Sequence, residues 1–152
     1  MNNTEYKFYM QHLTDDGEPI DGTKKDLEVD FQGLRYSSCT GLGDFGKVKH
    51  YTETYADSDE VRVFFPEETL RDQTSVVFNF IFFGEYRLDV FSDFVNYITN
   101  TKVRYWDTAR NRELDFYLEG EVKVSEEKWY AGIPYFKAAI TVKNIKGQTK
   151  KI

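Results

Sequence analysis

Hydrophobic and polar residues alternate along most of this chain, in the period-two pattern of half-buried β-strands. Short alternating runs occur at residues 6–10, 27–31, 34–36, 51–55 and 61–65. Because successive side chains of a strand point to opposite faces, each run can bury one face against a core. The first half of the chain is therefore predicted to form about five strands. The last two flank an acidic turn and are expected to pair as a hairpin.

The pattern changes in the middle of the chain. Residues 74–83 (TSVVFNFIFF) are almost continuously apolar, which predicts a central strand covered on both faces. After Gly84 the apolar residues recur every three or four positions, as on one stripe of a helix. These residues are Leu88, Phe91, Val95 and Ile98. A helix is predicted at about residues 87–99, and it is the only helix that the pattern indicates.

Three further strands are predicted to close the chain. Residues 102–106 resume the extended pattern, and two long alternating runs follow at 114–124 and 136–142. Gly120 indicates a bulge or bend within the first long run. We expect the two long runs to pair as an antiparallel hairpin, joined by residues 125–134.

These elements predict a mainly β fold with a minor α component. The expected architecture is an antiparallel β-sandwich or barrel-like domain with one flanking α-helix. At 152 residues the chain is long enough for a single domain, residues 1–152, with a substantial core. Aromatic residues make up 17% of the chain, which favours sheets because rings pack well on a pleated surface.

Charge and cysteine content disfavour several classes of function and site. The formal net charge of −6 disfavours direct contact with nucleic-acid phosphates and anionic membranes. Cys39 is the single cysteine, so one chain can form neither an internal disulfide nor a thiolate metal cluster. The N-terminus has no basic start followed by an apolar stretch, and we expect synthesis inside the cell.

Gly41 to Val48 (GLGDFGKV) match, letter for letter, the glycine-rich loops that bind dinucleotides or cover ATP in kinases. A dinucleotide site needs a helix that opens at the third glycine, whereas residues 49–55 have a strand pattern. A kinase needs an HRD catalytic loop, and neither His12 nor His50 precedes Arg-Asp. The glycines are therefore interpreted as loop residues with positive φ, and no cofactor is expected.

Cys39 and His50 could form a nucleophile and base, but no third residue that would orient them can be named. The adjacent pairs Glu67-Glu68 and Glu126-Glu127 would point to opposite faces of a strand, which makes them poor catalytic dyads.

Four acidic residues lie close together in a predicted turn near the N-terminus: Asp15, Asp16, Glu18 and Asp21. Their spacing does not match a calcium-binding loop, so a solvated turn is favoured. The sequence thus predicts no catalytic, cofactor-binding or metal-binding residue and no enzymatic activity.

The connection between the two long strands is unusually aromatic, with Trp129, Tyr130, Ile133 and Tyr135. Two explanations stay open. The loop folds back to close the end of the sheet, or it offers an aromatic anchor to another subunit.

Residues 31–147 resemble the fold shared by phage tail-tube proteins and the distal tail proteins of the baseplate. The resemblance is carried by VFNFIFFGEYRLDVFSDFVNYITNTKVRYWDTARNRELDFYLEGEVKVSEE and YFKAAITVKNIKG. It implies a structural component of a phage or prophage virion, made in the bacterial cytoplasm, that self-assembles into a ring or tube around the DNA channel. Such rings are commonly hexameric. An acidic surface suits a channel wall, because like charge keeps DNA from adhering.

The resemblance also implies partners and an interface. The partners are further copies of the chain and other tail proteins, without sequence-specific nucleic acid binding and without a membrane. Subunits of this family meet through sheet edges and extended loops, which correspond here to residues 37–47 and 125–135. The predicted interface residues are Trp129, Tyr130, Ile133, Tyr135, Leu42 and Phe45.

The alternative is a monomeric β-barrel or sandwich that binds a small apolar ligand or a protein partner. Its interior pocket would be lined by Phe78, Phe80, Phe82, Phe116 and Phe136. Core packing explains the same residues, and a cavity of several hundred Å³ would be needed to favour the ligand.

Overall fold

The computed structural model describes residues 6–54, 61–64, 67 and 69–152, with only the backbone described at 51–54 and 61–62. Within these residues the strands are β1 (Phe8–Leu13), β2 (Lys25–Asp26), β3 (Leu34–Thr40), β4 (Tyr51–Thr54), β5 (Val61–Phe64), β6 (Thr74–Phe83), β7 (Lys102–Asp107), β8 (Arg112–Val124), β9 (Lys128–Tyr130), β10 (Ile133–Asn144) and β11 (Lys150–Lys151). The helices are α1 (Leu27–Asp30) and α2 (Arg87–Ile98).

Nine of the strands form one antiparallel sheet in the order β2-β1-β7-β8-β10-β6-β3, with β11 beside β8 and β9 beside β10. Strands β4 and β5 pair separately as the predicted hairpin, whose turn lies outside the described residues. The prediction of a mainly β, antiparallel fold is confirmed.

The large sheet curls around a single aromatic core. The ring of Phe8 in β1 stacks on Tyr36 in β3, with 4.3 Å between centroids, although these strands lie near opposite ends of the strand order. Phe78 in β6 meets Tyr105 in β7 at 4.8 Å across the interior. The concave face is therefore enclosed in a barrel-like manner.

Helix α2 covers part of this core and confirms the predicted helix to within one residue. Phe94 is fully buried and packs edge-on against Phe31 and Phe80 at 5.4 and 5.2 Å. Leu88 was predicted on the buried stripe, but it is 63% exposed. Because a helix has 3.6 residues per turn, Leu88 lies about 120° around the helix from Phe94, and Phe94 lies in the middle of the buried face.

The strand predicted at residues 27–31 is wrong, because these residues begin with the one-turn helix α1. Leu27 and Phe31 are buried while Val29 is exposed, so the apolar spacing of four serves a helical turn. Two acidic side chains of α1 accept hydrogen bonds from the flanking strands. The backbone N–H of Asp26 donates to the Asp30 carboxylate, and that of Tyr36 donates to the Glu28 carboxylate.

The long hairpin predicted from the two closing runs is confirmed by the pairing of β8 with β10. Gly120 has φ +80°, and the register shifts beside it, so that Val122 faces Ile140 and Leu118 faces Val142. This is the predicted bulge. No helix in the described part of the chain is long and apolar enough to cross a bilayer.

Candidate functional site

The most distinctive surface feature is the hairpin formed by β9 and the start of β10. Tyr130 pairs with Ile133 and Trp129 with Pro134. The two residues of the turn, Ala131 and Gly132, have φ of +50° and +79°. Positive φ at both central positions is what a type I′ turn requires, and this turn matches the twist of paired strands.

The hairpin exposes its large side chains. Tyr130 is 77%, Trp129 69% and Ile133 47% exposed. Because alternate residues face opposite sides, Tyr130, Ile133 and Tyr135 share the outer face of the sheet, whereas Trp129 points the other way. The connection thus extends the sheet and does not fold back over its end.

A groove of about 410 Å³ runs along this outer face. Its lining residues are Ile81, Phe83, Tyr130, Ile133, Tyr135 and Lys137. The guanidinium of Arg35 lies over the Phe83 ring, 5.2 Å from its centroid. Sequence reasoning missed Ile81, Phe83 and Arg35, because β6 was predicted to be covered on both faces. Its outward residues are half-buried or, at Ser75, exposed, which corrects that prediction.

The structure separates the two groups of predicted interface residues. Leu42 is 8% exposed and belongs to the core, whereas Phe45 is 67% exposed beneath the guanidinium of Arg71. The loop that carries Leu42 and Phe45 is bound to Gly147, just beyond the Asn144 end of β10, because the Gly46 N–H donates to the Gly147 carbonyl. Tyr135 lies nine residues from Asn144 along β10, or about 30 Å, so the loop and the hairpin are far apart.

The glycine-rich loop has a packing role. A Cβ at Gly46 would lie 1.8 Å from the Asp72 carbonyl oxygen, and one at Gly41 would lie 2.6 Å from that of Ser75. The positive φ predicted for these glycines is confirmed at Gly41 (+86°) and is wrong at Gly43 and Gly46. Gly46 is required instead for the close approach of two backbones. No helix follows the loop before β4, so the geometry of a phosphate-binding turn is not formed.

Cys39 is poorly suited to nucleophilic chemistry. Burial raises the pKa of its thiol to about 11, against a smaller lowering by Arg110. The reactive species is the thiolate, which such a pKa makes scarce at neutral pH.

Two buried carboxylates, Asp107 and Asp115, are paired with arginine side chains. Asp107 is fully buried and accepts hydrogen bonds from the Tyr105 hydroxyl at 3.2 Å and from the Arg110 guanidinium at 2.7 Å. Asp115 receives two bonds from Arg104, at 2.8 and 3.2 Å. Each buried carboxylate is thus matched by an arginine.

The remaining acidic candidates do not form a catalytic or metal centre. Glu127 pairs with Arg87, whose hydrogen bond lowers the pKa of this carboxyl, and Glu68 lies outside the described residues. In the described ranges, no group of three or more His, Cys, Asp and Glu side chains could hold a metal ion. The acidic turn at residues 14–21 is exposed apart from Gly17, as a solvated turn would be.

Comparison with known proteins gives a similarity of fold to a solved structure. No family model and no curated protein matches the chain. Its fold is similar to the crystal structure of the SPP1 Dit protein, described as a paradigm of the hub adsorption apparatus in phages that infect Gram-positive bacteria. The TM-score is 0.53 at 14% identity, over 95% of this chain and 52% of that one.

This chain therefore spans about half the length of the phage protein. At such identity the similarity concerns the fold alone. The expected relation to the folds of phage tail proteins is confirmed at this coarse level.

Proposed function

We propose that this chain is a non-enzymatic structural component of a phage or prophage tail, and that its copies associate into a ring or tube, hexameric in the simplest case. The observation that carries this proposal is the similarity to the SPP1 Dit fold along 95% of the chain. A hub is an assembly, and a subunit with this role needs surfaces that bind neighbours. The protein would reside in the virion after synthesis in the host cytoplasm, with its own copies and other tail proteins as partners.

The exposed hairpin supports the proposal. Large aromatic side chains exposed together are typical of interaction surfaces, and Trp and Tyr are the residues most often found as binding hot spots. The proposed contact residues are Trp129, Tyr130, Ile133, Tyr135 and Phe45. The hairpin and Phe45 lie toward opposite ends of the β6–β10 pair, and contacts between different surfaces of successive copies produce rings when the rotation closes.

The alternative of an interior ligand site has less support. The five phenylalanines assigned to that pocket are at most 3% exposed. Their rings contact one another, with Phe78 to Phe116 at 5.7 Å and Phe82 to Phe136 at 5.6 Å. Core packing accounts for them, as it does for the interior of other barrel-like folds.

The proposal is tested by the mass of the purified protein, measured by light scattering behind a sizing column over a range of concentrations. Wild type is expected to exceed the mass of one chain, and Trp129→Ala is expected to shift assembly to higher concentration by roughly tenfold or more. Leu88→Ala is the matched control, because Leu88 is similarly exposed but lies on α2. A single-chain mass at every concentration would refute self-association.

A further inference from the structure

The outer face around the groove is cationic on a protein whose net charge is −6. Pairing of the strands places five cations on this face, and they are Arg35, Lys123, Lys128, Lys137 and Lys143. The other outward positions paired between β3, β6, β10, β9 and the second half of β8 are neutral. The nearest carboxylates in sequence lie outside this set of paired positions. Glu127, next to Lys128, pairs with Arg87, Glu126 belongs to the connection before β9, and Glu119 and Glu121 flank Gly120 in the bulge.

Three of these cations surround the groove itself. Arg35 and Lys137 both pair across Ile81, one from each neighbouring strand. Lys128 pairs with Tyr135. The groove therefore combines an apolar floor with a positively charged rim, which selects an occupant that carries both apolar and acidic side chains.

The same chain carries such a segment at residues 14–21, here called the acidic loop. Its carboxylates are Asp15, Asp16, Glu18 and Asp21, all of them exposed. None of them forms an ion pair with a described residue, although Glu18 also acts electrostatically on Arg104, which is itself paired with Asp115. Between Glu18 and Asp21 stands Ile20, an apolar side chain that is 38% exposed.

The acidic loop is held in shape by its backbone. The Thr14 N–H donates to the Glu18 carbonyl at 2.8 Å, and the Ile20 N–H donates to the His12 carbonyl at 2.9 Å. Lys102 donates through Nζ to the Asp15 carbonyl at 2.5 Å. Little conformational entropy would be lost when this loop binds a partner, because the loop is already ordered.

Loop and groove are separate surfaces of one copy. Among the described residues no hydrogen bond or ion pair joins residues 14–21 to a residue that lines the groove. The side chains that bond to the loop are instead those of Gln11, Thr23, Lys102 and Arg104. For this reason we place the contact between two copies of the chain.

We propose that the acidic loop of one copy docks in the groove of the next, with Ile20 against the apolar floor and the carboxylates against Arg35, Lys128 and Lys137. This inference rests on the proposed self-association and specifies its contact surfaces. The contact is heterologous, since each copy supplies its loop to one neighbour and its groove to another. Such contacts form closed rings or open filaments, depending on the rotation between copies.

Charge changes on the two surfaces test the contact. Asp16→Lys/Asp21→Lys takes the four carboxylates of the loop from a charge of −4 to 0, and Lys128→Glu/Lys137→Glu takes the three cations around the groove from +3 to −1. Each double variant is expected to raise the concentration of half-assembly by about tenfold or more, because the attraction between loop and groove is removed in the first and becomes a repulsion in the second. In a mixture of the two, the wild-type loop of the groove variant can dock in the wild-type groove of the loop variant, so the mixture is expected to assemble at a lower concentration than either variant alone.

The control is Asp89→Lys/Asp93→Lys, which makes the same change in net charge as the loop variant, but on the exposed side of α2. If wild type and both double variants assemble equally well, the docking is wrong while self-association stands. If wild type remains a single chain, self-association and docking fail together. If only the groove variant is impaired, or if that variant instead loses binding of double-stranded DNA, the groove has another occupant and the inference is overturned.

Discussion

At the scale of single residues, close backbone approach explains the motif that most resembled a ligand site. Glycines occur in the spacing of a phosphate-binding loop, yet Gly46 is packed directly against the backbone of Asp72. The Gly46 N–H also bonds to the Gly147 carbonyl at 2.7 Å. The sequence shows where glycines occur, whereas only the fold distinguishes those that approach a ligand from those that approach another strand.

Gly46→Ala is therefore expected to destabilise the protein by more than about 2 kcal/mol, because the added methyl group would force two backbone segments apart. Gly43→Ala is the matched control in the same loop, since a Cβ there meets nothing within 4 Å and its φ is not positive. The free energies of unfolding in urea give the comparison. Equal stability of the two variants would contradict the packing role.

At the scale of elements, prediction succeeded where the pattern was long and was wrong at one short run, residues 27–31. The ten residues of β6 were found from an almost unbroken apolar run, and the hairpin of β8 with β10 was found because alternation persists over many residues. At residues 27–31 the three apolar positions fit either a strand or one helical turn. The backbone N–H groups of Asp26 and Tyr36 bond to acidic side chains of α1, which favours the helical turn. The pattern of apolar residues contains no information about such bonds.

The tip of the β9–β10 hairpin carries a local strain that a substitution can relieve. Ala131 has φ +50°, a conformation that costs an L-residue with a Cβ roughly 1–2 kcal/mol. In the described part of the chain the other two non-glycine residues with positive φ are Asn100 and Asn111, and asparagine tolerates this region. Ala131→Asn is expected to stabilise the hairpin by up to about 1 kcal/mol, because Asn-Gly is the preferred type I′ pair.

Hydrogen exchange of the amides of Tyr130 and Ile133 measures this effect at the hairpin itself, and urea unfolding measures any effect on the whole protein. Ala109→Asn serves as the control, because Ala109 is exposed and has no positive φ. Unchanged or faster exchange in Ala131→Asn would show that the turn is not strained as described.

At the scale of the whole molecule, the fold class followed from the sequence, but only part of the candidate site did. Three aromatic residues and Ile133, at positions 129, 130, 133 and 135, were identified from their position between two long strands. The floor and rim of the groove come from β3, β6 and β10, which are distant in sequence and adjacent only in the sheet. Leu42 was grouped with them because it lies in a loop, although the fold buries it.

The buried end of the barrel near Cys39 predicts how the stability of the whole protein depends on pH. Burial raises the pKa of the Cys39 thiol to about 11 and that of the Tyr36 hydroxyl to about 12. Burial, together with the neighbouring Asp107 carboxylate, also raises the pKa of the Tyr105 hydroxyl. Unfolding restores lower pKa values, and the unfolded chain then binds fewer protons than the folded one in alkali.

The stabilising contribution of these neutral groups is accordingly complete below about pH 9 and is lost as pH rises through 11 to 12. Urea unfolding between pH 7 and pH 11 should show a free energy of unfolding that declines in the upper half of this range. Deprotonation of surface lysines also begins there, so the comparison with Cys39→Ala isolates the thiol. This variant is expected to lose stability less steeply between pH 9 and pH 11 than wild type. Identical slopes would mean that the thiol ionises in the folded protein as readily as in the unfolded chain, and that burial at this end of the barrel does not exclude its charge.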